Sequence, residues 1–408
     1  MKNIIRKADL DFLIRSKDKQ IIKVVSGVRR CGKSTLFDLY REYLLKNGVK
    51  ENQIITINFE NLEYEHIRSY RELYDVIKKL LKKNEMNYIF LDEIQHVENF
   101  EKAVDSLFIQ KNTDLYITGS NAYFMSGELA TLLSGRYIEL KMLPFSFSEY
   151  CEGYSLYRDK NASLQKIYND YLQESSFPYT LQLNGNQKDI SDYLNGIYNS
   201  VLLKDVVARH KITDVMMLES VVKFVFDSIG SPVSSTKIAN TMKTLGKKID
   251  QKTVEKYLHG LTDSLILYHA KRYDIKGKQY LATLGKYFVV DIGLRNILVG
   301  HKIDVGHILE NIIFLELLRR GYDVSVGIIG EYEVDFVAKN SNELIYVQAA
   351  VSVREKETLY REIRALQKIN DNYPKLLITL DDDPDTQFEG IQKLNAIRWL
   401  AITASLPI

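Results

Sequence analysis

The stretch SGVRRCGKST, residues 26–35, connects the apolar run IIKVV to a segment with apolar residues at helical spacing. Gly27, Gly32, Lys33 and Ser34 satisfy the pattern G-x-x-x-x-G-K-[ST], in which a glycine-rich loop joins a buried strand to a helix. Backbone N–H groups of such a loop, together with the positive end of the helix, surround phosphate oxygens. The stretch therefore predicts an α/β fold with a parallel sheet whose first loop binds a polyphosphate.

Each residue of this loop has an expected part in binding a nucleotide. Lys33 would reach the β- and γ-phosphates, and the Ser34 hydroxyl would ligate Mg²⁺. Thr35, one residue further into the helix, would lie near the α-phosphate. The other residues expected to line the phosphate site are Gly27, Arg30, Cys31 and Gly32.

Two later strands are predicted to end in polar residues. NYIFLDEIQHV, residues 87–97, has Asp92 and Glu93 directly after a short apolar run. Asp92 fits a Mg²⁺ ligand, and Glu93 fits a base that orients the attacking water. TDLYITGSNAYF, residues 113–124, ends another strand with Ser120 and Asn121, either of which could contact the γ-phosphate or the water. The same Gly-Ser-Asn could instead form a turn cap.

Arg136 lies just before a further predicted strand. An arginine there could stabilise charge on the transferring phosphoryl group, in its own subunit or in a neighbouring one. It could equally pair with a surface carboxylate, a contact that contributes little.

Composition restricts the class of protein. The 408 residues are 45% apolar and 26% charged, with a formal net charge of +2, which is ordinary for a globular chain of two or three domains. Charges interrupt the apolar runs, so we expect no signal peptide, no membrane span and a cytoplasmic location. The two cysteines exclude a disulfide framework, and the seven histidines show no metal-ligand spacing.

Residues 215–295 are predicted to form a winged helix-turn-helix, with three helices followed by two strands in a hairpin. Between positions 237 and 286 there are eleven Lys and Arg residues against four Asp and Glu, a net charge of +7. Such a segment suits the phosphates of double-stranded DNA. The alternative is a winged helix that packs against protein and keeps its lysines in solvent.

Residues 296–408 are predicted to form a second α/β unit, closed by the strands KLLITLDDD and AIRWLAI. Glu310 on a helix, Asp335 on a strand and Gln348 on the next strand follow the plan of a two-metal nuclease. Position 350 is alanine where that plan needs lysine, so we expect a catalytically degenerate site. Lys339, four residues after Asp335, could substitute because it faces the same side of a strand.

The chain resembles a large group of prokaryotic AAA-type ATPases over essentially its whole length. The segments that carry the resemblance are GVRRCGKSTLF, IFLDEIQ, ITGSNA, ELATLLSGRYIELKMLPFSFSEY and FPYTLQL, in that order. The group joins an ATPase core to a winged-helix segment and a C-terminal domain similar to restriction endonucleases. One departure is Ser175-Ser176, where glycines are usual in the group.

The resemblance implies a role for individual residues. ATP would bind at residues 27–35, with Mg²⁺ held through Ser34 and Asp92 and hydrolysis carried out by Glu93. Ser120 or Asn121 would sense the γ-phosphate, and Arg136 would be a candidate arginine finger.

The resulting prediction has four segments: a P-loop NTPase sheet with helices on both faces (1–150), a helical connector (151–214), the winged helix (215–295) and the nuclease-like unit (296–408). The favoured function is a Mg²⁺-dependent ATPase whose nucleotide state controls its binding to DNA. A homo-oligomer is compatible with this function. The alternatives are an ATP-dependent switch that recruits proteins and an ATP-gated nuclease.

Overall fold

The computed structural model describes residues 3–120, 133, 135–281, 284–300 and 304–402; of Ser120 only the backbone is described. The chain falls into two compact units, Met1–Pro144 and Phe145–Ile408. The four-segment division remains a prediction, and residues 145–150, which it assigned to the first segment, lie in the second compact unit. Among the described residues, no helix combines the length and apolar character needed to cross a membrane.

The first unit contains a five-stranded sheet in which every pairing is parallel, in the order β2-β3-β4-β1-β5. The strands are β1 Ile22–Gly27, β2 Ile54–Asn58, β3 Asn87–Asp92, β4 Thr113–Ser120 and β5 Tyr137–Met142. All side chains of β1 and β3 are buried, as expected for a parallel sheet covered on both faces. The predicted parallel sheet is confirmed.

Helices cover both faces of this sheet. In the described residues of this unit the helices are α1 Lys7–Ser16, α2 Lys33–Lys46, α3 Tyr70–Leu80 and α4 Phe100–Phe108. Ile89 and Leu91 of β3 pack in one apolar core with α3 and α4. Phe90, which points to the opposite face, stacks on Tyr116 and contacts Phe37 of α2. Successive side chains of β3 therefore pack alternately into the apolar layers on the two faces of the sheet.

The second unit is mostly helical in its first half. Its helices are α5 Phe147–Tyr157, α6 Leu164–Gln173, α7 Gln187–Ser200, α8 Val215–Asp227, α9 Ser235–Thr244, α10 Gln251–Asp263, α11 Ile292–Val299, α12 Val305–Arg319, α13 Lys356–Gln367 and α14 Ala396–Ala401. Within the predicted helical connector, the helix that reaches residues 195–210 is α-helical as far as Ser200. It continues as a π-helix, Val201–Ala208.

Two sheets complete the second unit. Three antiparallel strands form the first, in the order β6-β10-β7, with bounds β6 Pro232–Val233, β7 Leu267–Ala270 and β10 Gly285–Val289. Eight strands form the second, in the order β15-β16-β14-β13-β12-β11-β8-β9. Their bounds are β8 Arg272–Asp274, β9 Gln279–Tyr280, β11 Asp323–Ile329, β12 Tyr332–Lys339, β13 Leu344–Ala350, β14 Lys375–Thr379, β15 Thr386–Phe388 and β16 Ile391–Asn395.

The predicted hairpin after α10 keeps its antiparallel pairing, but its inner and outer halves lie in two different sheets. β7 pairs with β10 as predicted, but β8 leaves that sheet and runs parallel to β11, with β9 paired on its far side. The exposed edge of β11 gains a hydrogen-bonding partner in this way. The predicted wing tip is therefore the edge of the larger sheet.

The predicted last strand, AIRWLAI, is also wrong, because Ala396–Ala401 is helix α14. The Asn395 side chain accepts a hydrogen bond from the backbone N–H of Arg398 at 2.9 Å and caps the helix. The sheet receives β16, directly before this cap, in place of the predicted strand.

Candidate functional site

The loop between β1 and α2 depends on two glycines for different reasons. A Cβ atom at Gly27 would lie 2.5 Å from the carbonyl oxygen of Met142 and 2.8 Å from the Cys31 sulfur, so close packing excludes any side chain. Gly32 has φ 106°, a left-handed conformation that glycine adopts without strain. The spacing of the sequence pattern thus reflects one steric and one conformational requirement.

Helix α2 begins directly after Gly32, which has no side chain to cap it. The N–H groups of its first turn therefore remain available to an anion, and the helix dipole favours negative charge there. Ser34 and Thr35 lie exposed in this first turn, and Arg30 is exposed in the loop. Cys31 is fully buried, and burial raises the pKa of its thiol.

The Lys33 side chain is buried and lies over the loop. Its ammonium donates to the carbonyl oxygen of Gly27 at 3.2 Å and lies 3.5 Å from a carboxylate oxygen of Glu93. Burial lowers the pKa of Lys33, but its surroundings, including the charges of Glu93 and Asp92, raise the pKa above its ordinary value. Lys33 is therefore a fixed positive charge.

Asp92 and Glu93 are oriented by a residue that the sequence analysis did not single out. The Thr118 hydroxyl of β4 donates to Asp92 and accepts from the backbone N–H of Glu93 at 3.0 Å. Asn58 donates to the second Asp92 oxygen at 3.2 Å. Glu93 has φ 53°, so its backbone is held in a conformation unusual for glutamate. The one feature of the sequence that could have indicated this role is the position of Thr118, a polar residue two positions before the predicted end of its strand.

Ser120 and Arg136 lie at opposite ends of the parallel strands. Ser120 is at the carboxyl end of β4, and Arg136 directly precedes the amino end of β5. Ser120 pairs with Gly27 in the register of β1 and β4, which places its backbone beside the phosphate loop. Its side chain and the whole of Asn121 lie outside the described residues. Arg136 lies at the start of β5, where its carbonyl oxygen accepts from the N–H of Ile22 at 2.9 Å.

The place of Arg136 decides between its two predicted modes of action. Gly27 lies five positions after Ile22 along β1, a distance of about 17 Å. The Arg136 guanidinium instead lies 3.7 Å from Asp105 and 5.5 Å from the ring centre of Phe108. Arg136 is therefore distant from the loop of its own subunit, and its contact with Asp105 is the surface carboxylate pairing expected as the alternative.

In the second unit, Glu310, Asp335 and Gln348 come together as their order in the sequence predicts. The backbone N–H of Asp335 donates to the Gln348 side-chain oxygen at 3.3 Å. An Asp335 carboxylate oxygen accepts from the backbone N–H of Ala349 at 2.8 Å. Glu310, on α12, meets Asp335 through a fourth side chain, that of Lys286 on β10.

Lys286 lies among three carboxylates. Its ammonium is 2.9 Å from Glu333, 3.0 Å from Glu310 and 3.6 Å from Asp335. Burial lowers the pKa of Lys286, but these carboxylates, Asp335 first, raise it above its ordinary value. Burial and the charge of Glu310 raise the pKa of Asp335 to about 7. An ammonium group therefore occupies the position among these carboxylates that the nuclease plan would fill with metal.

Two sequence predictions about lysines need correction here. Lys286 was counted in the basic surface, but its side chain is only 5% exposed and is not available to DNA phosphates. Lys339 lies at the exposed end of β12, about 13 Å along the strand from Asp335, and is too distant to replace the missing lysine. Nothing in the local pattern around Lys286 indicated its place, whereas Glu333 shares the strand face of Asp335.

Substituting Lys286 by methionine should destabilise the second unit by about 3–5 kcal/mol, because Glu310 and Asp335 would remain largely buried without a counter-ion. Lys276→Met, at an exposed position, is the matched control and should change stability by less than about 0.5 kcal/mol. Chemical denaturation monitored by circular dichroism measures both. Equal stability of the two variants would show that the cluster does not need the lysine.

Two family models match separate parts of the chain. Residues 19–151 match a family described as an AAA domain, and residues 165–304 match a domain of unknown function, DUF8612. Among solved structures, a Walker-type ATPase of Pyrococcus abyssi is 17% identical, with a TM-score of 0.47 over 72% of this chain and 96% of that chain. The Aeropyrum pernix ORC1 protein, solved in complex with DNA, is 13% identical, with a TM-score of 0.32 over 73% and 92%. These low scores carry no conclusion about function.

Two relatives match along nearly the whole chain. An uncharacterized protein of Haemophilus influenzae is 40% identical over 399 residues, 97% of this chain and 98% of the relative. An uncharacterized protein of Methanocaldococcus jannaschii is 30% identical over 392 residues, 91% of this chain and 84% of the relative. The chain therefore belongs to the same family as these two proteins, with an AAA-type domain over residues 19–151.

Proposed function

We propose that this protein is a Mg²⁺-dependent ATPase that hydrolyses ATP at the loop between β1 and α2. The observation that carries the proposal is the meeting of Lys33 with Glu93 at 3.5 Å, beside Asp92 and the uncapped start of α2. A positive charge, two carboxylates and free N–H groups at one sheet edge fit a polyphosphate and its metal ion. The AAA-domain match over residues 19–151 supports the same activity.

Each group has a part in hydrolysis. The N–H groups of the loop bind phosphate oxygens, and Lys33 exchanges its contact with Glu93 for the β- and γ-phosphates. Release from Lys33 leaves the Glu93 carboxylate to orient the attacking water and accept its proton. Thr118 keeps both acidic residues in place while Lys33 moves.

The oxygen donors at this edge suit Mg²⁺. The Ser34 hydroxyl is exposed at the start of α2, and Asp92 is oriented by Thr118 and Asn58. Hard oxygen ligands such as these are the ones Mg²⁺ prefers. When bound, the ion would neutralise charge on the transferring phosphoryl group.

Glu93→Gln should lower the rate of ATP hydrolysis by roughly 10²–10⁴-fold, because the amide cannot accept a proton from water. Nucleotide binding should persist in this variant and be lost in Lys33→Ala. Phosphate release and fluorescent ATP-analogue binding, measured on the same samples, separate the two effects. Lys46→Ala, at the exposed far end of α2, is the control. Hydrolysis by Glu93→Gln at the unaltered rate would remove Glu93 from the mechanism.

We further propose that Arg136 acts as an arginine finger across a subunit boundary in a homo-oligomer. Its side chain is 45% exposed, so a neighbouring subunit can reach it. Arg136 lies at the amino ends of the strands, whereas the phosphate loop of its own subunit lies at their carboxyl ends. These two facts favour an assembly in which the Arg136 edge of one subunit meets the loop edge of the next.

Glu93→Gln and Arg136→Ala proteins should each be inactive and should regain ATPase activity when mixed. A mixed pair contains one site with an intact Glu93 and an intact Arg136, contributed by different subunits. Phosphate release as a function of mixing ratio measures the recovery. The control is a mixture of Glu93→Gln with Lys33→Ala, which should not recover, because both residues belong to the site of the same subunit. Full activity of Arg136→Ala alone, or no recovery on mixing, would contradict the proposal.

Residues 215–295 are proposed to form a winged helix that contacts DNA, so that the nucleotide state controls DNA engagement. Helices α8, α9 and α10 with the β6-β10-β7 sheet have the element order of such a domain. The lysines that remain exposed between positions 237 and 286 are Lys237, Lys243, Lys247, Lys248, Lys252, Lys256, Lys271, Lys276 and Lys278. Their number favours phosphate contacts.

Replacing Lys248 and Lys252 by alanine should weaken duplex DNA binding and reduce the slope of log K against log salt by about 2, since each phosphate contact contributes about 0.9. Lys356→Ala, at an exposed position on α13, should leave the slope unchanged. Fluorescence anisotropy at several salt concentrations, with ATP, with ADP and without nucleotide, measures the effect. Absence of binding by the unaltered protein would favour a switch that recruits proteins.

An ATP-gated nuclease is the less favoured alternative. Its carboxylates are already paired with the buried ammonium of Lys286, and position 350 is alanine. A metal ion would have to displace a buried ammonium group before any water could be activated.

A further inference from the structure

Two histidines and an aspartate meet beside α10, at a place that the proposed ATPase does not use. His259 and Asp263 lie one turn apart on α10, and His210 follows the π-helix Val201–Ala208. One ligand atom from each residue lies within 4.8 Å of the other two. The sequence did not suggest this group, because His210 is distant along the chain from the other two residues.

The contacts within the group leave one nitrogen without a hydrogen bond. His259 Nδ1 lies 2.7 Å from Asp263 Oδ2, whereas His210 Nε2 lies 3.6 Å from the same oxygen. His210 Nε2 is buried and makes no hydrogen bond. Buried polar atoms nearly always have a partner, and one without is a candidate for an absent ligand.

The chain brings His210 to this place by two local features. Gly260 lets the segment that carries His210 approach α10: a Cβ atom there would lie 3.0 Å from the His210 ring and 3.0 Å from Val206. The π-helix before His210 holds more residues per turn than an α-helix, which changes the direction in which the following side chains point. π-Helical segments occur frequently at functional sites.

We propose that His210, His259 and Asp263 bind a divalent transition-metal ion of the zinc class, with the remaining coordination position open to water. Two imidazoles with one carboxylate favour such an ion over Mg²⁺, which prefers oxygen ligands alone. Ligand atoms about 2.0–2.2 Å from a tetrahedral ion lie about 3.3 Å apart. The 3.6 Å separation is close to this value, and the 2.7 Å separation opens by rotation of His259.

The burial of the three side chains fits an ion that enters from one side. His259 is 66% exposed, whereas His210 and Asp263 are 16% and 13% exposed. The exposed His259 can turn to admit the ion, and the other two ligands form the floor of the site. A bound ion would join α10 to the segment after the π-helix and so fix the position of the helix proposed to face DNA. The site itself does not depend on that proposal.

The test uses the full-length protein, stripped of metal with a chelator and then titrated with Zn²⁺ and with Co²⁺. One equivalent should bind, Co²⁺ should give the visible absorption of a tetrahedral site, and Zn²⁺ should raise the melting temperature. His259→Ala and Asp263→Asn should each lower the affinity by roughly 10–100-fold or more. His66→Ala, an exposed histidine of the first unit, is the matched control.

Circular dichroism of the metal-free proteins shows whether each variant folds, and the exposed His259 is the position least expected to disturb folding. Binding that is unaffected by His259→Ala and Asp263→Asn together would overturn the proposal. So would the absence of a stoichiometric Zn²⁺ site in the unaltered protein. ATP hydrolysis by these variants should be unchanged, so failure of the metal site and failure of the ATPase are distinguishable.

Discussion

The Thr118 hydroxyl, in the central strand β4, organises the proposed catalytic edge of the first unit. It contacts the Asp92 side chain and the Glu93 backbone, and both contacts require β3 and β4 to pair in parallel in the register that sets Leu91 beside Ile117. The same sheet places the end of β1 beside the end of β4, so Lys33 meets Glu93. The chemistry proposed for this edge therefore depends on strand register as much as on the residues themselves.

The second unit depends on a different kind of interaction, a buried charge cluster. Lys286 from the three-stranded sheet contacts Glu310 on α12 and Glu333 and Asp335 on β12. Such clusters cost desolvation energy, and removing one partner is far more damaging than the pair is stabilising. The lysine thus links two sheets of the unit and at the same time occupies the centre of the site that the sequence predicted to resemble a nuclease.

The sequence was informative where a pattern is local and less so where contacts are distant. The loop at residues 26–35, with the strand before it and the helix after it, follows from a short motif. The departure of β8 into the larger sheet and the place of Lys286 depend on partners dozens of residues away. The segment AIRWLAI is apolar enough for a strand, and only its asparagine cap indicated a helix. The same limit hid His210, whose partners lie on α10.

Phosphate release from ATP by the unaltered protein, with Mg²⁺ and with a chelator, tests the central claim most directly. The account predicts catalytic turnover that requires Mg²⁺, because Ser34 and Asp92 are placed to hold the ion and Lys33 with Glu93 to act on the phosphates and the water. No turnover in the presence of Mg²⁺, or an equal rate in chelator, would contradict it.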